Sequence, residues 1–265
     1  MAVLTFRDGV MILELIFYTP ALVLSIWLTA RHGLWRRSGF IFLVLLALVR
    51  INGACMLLAT LLHPDSIVLY TGAGILNSIA LSPLLLSTIG LLGRVNDSLR
   101  YTEKGAFSPR TFRLLSIPTV TGLGLCVAGG TLTGISGDPT NVHITTKIGV
   151  ILFVVAFAVI SFITAITYHN LSYAEAGERQ LGRIVAVSAP FLIVRTVYSV
   201  LGAFANNLKF NILIGSMTIY LCMAVLEEFA IFVLFLAVGF TLRVIPKDYE
   251  ATDTEIASNI CATEG

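Results

Sequence analysis

The chain has 265 residues, 57% of them hydrophobic and 12% charged, with a formal net charge of +2 and a mean hydropathy of +0.91. A soluble domain carries about 25% charged residues, so a water-soluble core is excluded and a polytopic membrane protein is indicated. A net charge this small says little about partners; the lipid bilayer is the one implied, and no nucleic acid is expected. Cys55, Cys126 and Cys222 fall in apolar stretches and Cys261 near the end. Their spacing is not that of a metal site or a disulfide framework, so neither metal nor cofactor is expected.

Seven apolar stretches have the roughly twenty residues a helix needs to cross the hydrocarbon. The first, 9–30, carries Glu14 and Pro20 and is too long for the core of a signal peptide. The second, 39–62, contains Arg50, and the third, 67–92, contains Asn77 and Pro83. The fourth, 113–134, holds Pro118 and the small residues Gly122, Gly124, Gly129 and Gly130, which fit close helix packing. The fifth runs over 147–168. The sixth, 184–206, holds Pro190 and Arg195, and the seventh, 211–240, holds Glu227 and Glu228. Helices are required, because an open strand in lipid leaves its amides unpaired. Each internal proline removes a helical hydrogen bond and predicts a kink. The expected fold is all-α: a seven-helix transmembrane domain over 1–246, followed by a polar, acidic tail over 247–265 that reads as disordered.

Basic residues orient the bundle. The loops after the first, third and fifth spans, together with the tail, hold twelve of the 17 lysines and arginines. The opposite side holds Arg7, Lys147 and Lys209. Positive residues stay in the cytoplasm, so the N-terminus is expected in the lumen or outside and the C-terminus in the cytoplasm, with the endoplasmic reticulum as the expected membrane.

Five ionisable groups remain inside the spans: Glu14, Arg50, Arg195, Glu227 and Glu228. At mid-membrane each costs roughly 2.5–3.5 kcal/mol on the translocon scale, so such groups persist by facing one another or a polar cavity. Counting along the helices puts Arg50, Arg195, Glu227, Glu228 and Asn77 near one plane. Glu14, about five residues into its span, falls about 8 Å below the lumenal edge, with no basic partner at its own depth. Helical phase sets Tyr18 on the face of Glu14, and Tyr198 and Ser199 on that of Arg195. It also sets Ser216 and Tyr220 on the face of Glu227. Glu227 is therefore expected to line a cavity, and Glu228 to pair with an arginine of a neighbouring helix. Two short segments, Leu48–Ile51 and Ile193–Thr196, are alike and would suit a parallel duplication around a linker helix.

A structural clamp, in which Arg50 and Arg195 merely neutralise Glu227 and Glu228, accounts for the arginines but not for Glu14. An unpaired carboxyl in apolar surroundings holds its proton, and such an acid is a proton donor. The motifs of soluble enzymes (HExxH, CxxC, a phosphate-cradling glycine loop, a serine elbow) are absent. So is the aspartate-rich pair that ionises a prenyl diphosphate. Acid chemistry on a lipid-soluble substrate is what remains.

The segments Glu14–Pro20 (ELIFYTP), Arg31-His32-Gly33, Leu48–Gly53 (LVRING), Ser82–Asn96 (SPLLLSTIGLLGRVN), Ala189–Ser199 (APFLIVRTVYS) and Cys222–Phe229 (CMAVLEEF) carry a resemblance. The chain resembles fungal seven-helix membrane proteins, and within that broad group the membrane terpene cyclases of meroterpenoid pathways, of the macrophorin and ascofuranone type. The resemblance implies a secondary-metabolism enzyme that folds a farnesyl chain attached to an aromatic ring. On that expectation Glu14, Glu227 or Glu228 protonates a terminal alkene or epoxide. Tyr18, Tyr198, Tyr220 and Phe229 steady the cations, and Arg50, Arg195 and Asn77 hold the polar head or tune the acids. The alternative is a transporter or receptor for a lipid or small hydrophobic metabolite, which would use the same buried groups.

Two glycosylation sequons, Asn96-Asp97-Ser98 and Asn170-Leu171-Ser172, fall on the expected cytoplasmic side. Neither is expected to carry a glycan. A mass shift that endoglycosidase removes from the expressed protein would reverse the orientation.

Overall fold

The computed structural model describes residues 5–32, 39–101, 107–136, 142–174, 176–205 and 215–242. Among the described residues there is no strand, and seven helical segments are long and apolar enough to cross a membrane. They are α1 (Phe6–His32), α2 (Ile41–Ala59), α3 (Ile67–Ile79) continued by α4 (Leu81–Tyr101), α5 (Pro109–Ser136), α6 (Ile144–His169) and α7 (Ala176–Phe204). The seventh joins α8 (Met217–Tyr220), a π-helical turn (Leu221–Val225) and α9 (Leu226–Thr241). This is the expected all-α seven-helix membrane bundle. Apolar side chains such as Ile16, Val23, Trp27, Ile135 and Phe162 are exposed on its outside, where lipid rather than water solvates them. The tail over 247–265 lies outside the described residues, as do 211–214 at the start of the last expected span.

The third span is the most enclosed, with 72% of its most apolar stretch buried against 28–44% for the other six. The α4 half packs against α2, α5, α6 and α7. Its sequence, Leu-Ser-Pro-Leu-Leu-Leu-Ser-Thr-Ile-Gly-Leu-Leu, is apolar or small on every face, as a helix surrounded by others must be. The turn into α2 leans on it: Gly39 takes a positive φ of 74°, and a Cβ there would lie 2.6 Å from the Ser87 carbonyl. Only glycine meets both demands.

Of the four internal prolines, one coincides with a break. α1, α5 and α7 run uninterrupted through Pro20, Pro118 and Pro190, whereas the third span is interrupted at Ala80. Pro83 has no N–H to offer the Ile79 carbonyl four residues earlier, and α3 ends at Ile79. The far end of this span also corrects its expected limit of 92. α4 continues to Tyr101, where Arg94 donates to Glu178 of α7 at 2.8–2.9 Å. Beside it the Asn96 amide donates to the Phe107 carbonyl at 2.9 Å and accepts from the Phe107 N–H at 3.3 Å. Asn96 is buried in this contact, so burial alone would keep it unglycosylated. The diagnostic sequon for orientation is therefore Asn170.

The glycines of α5 divide by what they face. A Cβ on Gly122 would meet Phe153 and the Gly149 carbonyl of α6 at 2.9–3.0 Å, and one on Gly149 would meet Cys126 and the Gly122 carbonyl at 2.7–2.8 Å. Gly129 is equally crowded by Thr146, and Gly130 by Ile75 of α3, but Gly124 faces open space. Gly149→Ala is expected to lower stability by about 1–3 kcal/mol through overpacking. Gly124→Ala is expected to be neutral or stabilising by up to about 1 kcal/mol, as alanine favours helix. Thermal unfolding of the two variants in the same detergent checks the contrast.

Candidate functional site

Arg50 of α2 and Arg195 of α7 meet at one buried point, the Glu228 carboxylate of α9. Arg50 of α2 forks onto it: Nε donates to Oε2 at 2.6 Å and Nη2 to Oε1. Arg195 of α7 donates to Oε1 through its own Nε, and the Tyr18 hydroxyl of α1 donates to Oε2 at 3.4 Å. Glu228 is thus an acceptor on both oxygens, held by the charge-assisted, two-point geometry that suits guanidinium and carboxylate. The remaining donors extend the network. Arg50 Nη1 donates to Asn77 Oδ1 at 2.8 Å and to the Tyr220 hydroxyl. Arg195 Nη1 donates to Ser199 at 2.6 Å, and its Nη2 to the backbone carbonyl of Asn77 at 3.2 Å. That carbonyl lies in the last turn of α3, where carbonyls lose their intrahelical partners; the break at Ala80 makes it an acceptor for Arg195.

Glu14 belongs to this network, contrary to the shallow depth read from its sequence position. α1 begins at Phe6, so Glu14 stands eight residues, about 12 Å, along the helix. Its Oε1 accepts from the Tyr220 hydroxyl at 2.8 Å and lies 3.8 Å from Arg50 Nη1. Two guanidinium and two carboxyl groups are therefore gathered together, and all four residues are almost fully buried.

Glu228 pairs with arginines of neighbouring helices, as expected, but Glu227 does not take the cavity-lining place expected of it. Glu227 neither joins the network nor lines the cavity described below; it is half-buried, and its Oε2 has no hydrogen-bond partner among the described residues. The reason is the π turn over Leu221–Val225. In a regular α-helix Tyr220 aligns with the residue seven places on, Glu227. A π turn inserts one extra residue, so the alignment moves to Glu228. Nothing in the local composition marks this turn.

A cavity of about 490 Å³ lies against one side of the network. It begins among helix ends at Arg7, Ile67 and Val142 and runs inward between walls that are apolar or small, such as Gly74, Ile75, Gly130 and Val150. Its polar end is formed by Asn77, Arg195, Tyr198, Ser199 and Tyr220. The volume is in the range of small-molecule sites. Glu14, Arg50 and Glu228 stand behind that polar end rather than on it. Among the expected cation-steadying rings, Tyr198 and Tyr220 face the cavity. Tyr18 and Phe229 do not; they pack with Phe17 and Phe232 in an aromatic cluster between α1 and α9. Arg7, at the outer end, lies within α1 and not in a loop before it, because the helix begins at Phe6 and not at residue 9. Among the described residues no three His, Cys, Asp or Glu side chains gather as metal ligands would.

A family model described as a domain of unknown function (DUF7702) matches residues 4–245. No curated protein and no solved structure matches the chain.

Removing one partner of a buried ion pair leaves a charge uncompensated and costs about 3–5 kcal/mol. Glu228→Gln is expected to destabilise the bundle by about that amount. Glu227→Gln should change stability by about 0.5 kcal/mol or less, as at sites without partners. Heat-induced loss of monodisperse protein, followed by size-exclusion chromatography, separates the two variants.

Proposed function

The chain belongs to the DUF7702 family, and we propose that it is a membrane-embedded cyclase acting on a prenylated, lipid-soluble substrate held in the cavity. The observation that carries this reading is the position of the Tyr220 hydroxyl. Tyr220 lines the cavity while its hydroxyl donates to Glu14 behind it; once Glu14 is protonated that bond can reverse, so a proton passes from the sequestered acid through the hydroxyl to a bound molecule. In this role Tyr220 touches the substrate and Glu14 replenishes it. Glu228 is left as the anchor of the arginines, and Glu227 takes no part.

The proton adds to a terminal epoxide oxygen, breaking one C–O bond, or to a terminal alkene carbon. Either step leaves a tertiary carbocation. The next double bond of the chain attacks it, forming a carbon–carbon bond and moving the charge inward. Loss of a proton from carbon beside the final cation restores a double bond, and that proton returns to the Tyr220–Glu14 pair. The product is an isomer of the substrate, so no cofactor is consumed. The rings of Tyr198 and Tyr220 offer π faces to the passing charge, and the apolar walls exclude water that would quench it. The resemblance to meroterpenoid cyclases supports a farnesylated aromatic as substrate. The basic residues on the loops after the first, third and fifth spans support a lumenal N-terminus, and the endoplasmic reticulum is proposed as the membrane.

A second reading, a transporter or receptor for the same class of molecule, is favoured by one feature. Glu228, Arg50 and Arg195 already satisfy one another, as a static scaffold around a binding site would. Membranes containing the protein, given a farnesylated phenol or its terminal epoxide, decide between them. Conversion to a cyclic isomer of unchanged mass is expected, with Tyr220→Phe and Glu14→Gln each lowering the rate at least about a hundredfold, the scale of general acid catalysis. Saturable binding with no product would favour the second reading, and full activity in both variants would defeat the proton path.

A further inference from the structure

Arg7 is a charged lining group whose chemistry the proposed reaction leaves unused. It lies at the outer end of the cavity, half-buried, with its guanidinium 6.0 Å from the centroid of the Tyr70 ring. Its Nη2 is buried and has no hydrogen-bond partner among the described residues. The neighbouring acid does not serve it: Asp8 turns to Thr5, accepting from its backbone N–H at 2.8 Å and its hydroxyl at 2.6 Å, which caps the start of α1. A buried guanidinium N–H left without an acceptor is rare in a folded protein, and where it faces a cavity the missing acceptor is one a ligand can bring.

The cavity's charge agrees. Among the described residues lining it are two arginines, Arg7 and Arg195, and no aspartate or glutamate. Arg195 is occupied by Glu228, Ser199 and Asn77, whereas among the described residues no carboxylate pairs with Arg7. We propose that the cavity binds an amphipathic monoanion: a carboxylate head on Arg7, and an apolar chain running inward between Gly74, Ile75 and Gly130. Arg7 precedes Glu14 by seven residues on α1, about 10 Å along the axis, so a head held at Arg7 leaves the far end of a folded prenyl chain beside Tyr220. This orientation rests on the cyclase reading; the anion preference does not. It also moves the head group away from Arg50 and Arg195, which the sequence had suggested for that task.

The test is equilibrium binding to the purified protein in nanodiscs, with no turnover measured. The probes are a farnesylated hydroxybenzoate, its methyl ester and palmitate. The free acid should bind at least about tenfold more tightly than the ester, as expected for a charge-assisted hydrogen bond in a water-poor site. Arg7→Gln should erase that preference by weakening the acid while leaving the ester unchanged, and Arg7→Lys should restore part of it. Palmitate binding as tightly as the prenylated acid would support the head-group site and identify its occupant as a membrane-derived acid. Equal binding of acid and ester by the native protein overturns the proposal without any variant, as does an undiminished preference in folded Arg7→Gln. Absence of cyclisation would leave this result intact, and equal binding would leave the cyclase reading intact.

Discussion

A single carboxylate, that of Glu228, governs the arrangement. Two arginines cannot lie in the apolar interior of a bundle unless an anion meets them, and Glu228 meets both. Because its partners stand on α2 and α7, this contact ties three helices together at one depth. The leftover guanidinium donors recruit Asn77 of α3 and Tyr220 of α8, and Tyr220 in turn recruits Glu14 of α1. Each added group satisfies a donor or acceptor that would otherwise be stranded away from water. An ion cluster of this kind adds little net stability over a well-packed apolar core, but it penalises any register in which a charge loses its partner. Its contribution is specificity of arrangement.

The network and the cavity are adjacent but distinct. Arg50, Glu14 and Glu228 form a sealed layer, while Asn77, Arg195, Tyr198, Ser199 and Tyr220 present that layer's polar surface to the empty space. Such a division suits a site that must be both rigid and reactive. Groups locked by several strong hydrogen bonds fix the positions of those that face a substrate, which is how preorganisation is obtained without solvent. Four residues belong to both network and cavity through side-chain hydrogen bonds: Arg195 as a donor, Asn77 and Ser199 as acceptors, and Tyr220, which both accepts and donates. Of these, Tyr220 is the hydroxyl bonded to a carboxyl group, that of Glu14, which is why the functional reading turns on it.

Two backbone irregularities deliver these side chains. The break at Ala80 lets the Asn77 carbonyl accept from Arg195, and the π turn at Leu221–Val225 rotates Glu228 onto the face of Tyr220. Both lie within a turn or two of the charges they serve. Departures from regular helix are tolerated at membrane depth where protein groups, not lipid, surround the freed backbone. The similar segments around Arg50 and Arg195 add a further regularity: both arginines approach the same carboxylate through Nε, though only Arg50 forks onto it.

Hydropathy and length were enough to place the seven crossings, because burying backbone in lipid leaves the chain no other choice than helix. The cost of a charge in that medium likewise singled out Glu14, Arg50, Arg195, Glu227 and Glu228 as residues needing partners, and phase within α7 joined Tyr198 and Ser199 to Arg195. Partner choice was another matter. Glu228 meets an arginine as its phase suggested, but the exclusion of Glu227 from the polar centre depends on one extra residue in a π turn, and the depth of Glu14 depends on where α1 begins. The isolation of Arg7 depends on what its neighbours on other helices offer. Periodicity describes one helix at a time, assumes 3.6 residues per turn throughout, and carries no information about the rotation of one helix against another. Those were settled by packing, where a phase error of 100° decides which side chain enters the polar centre and which is left outside it.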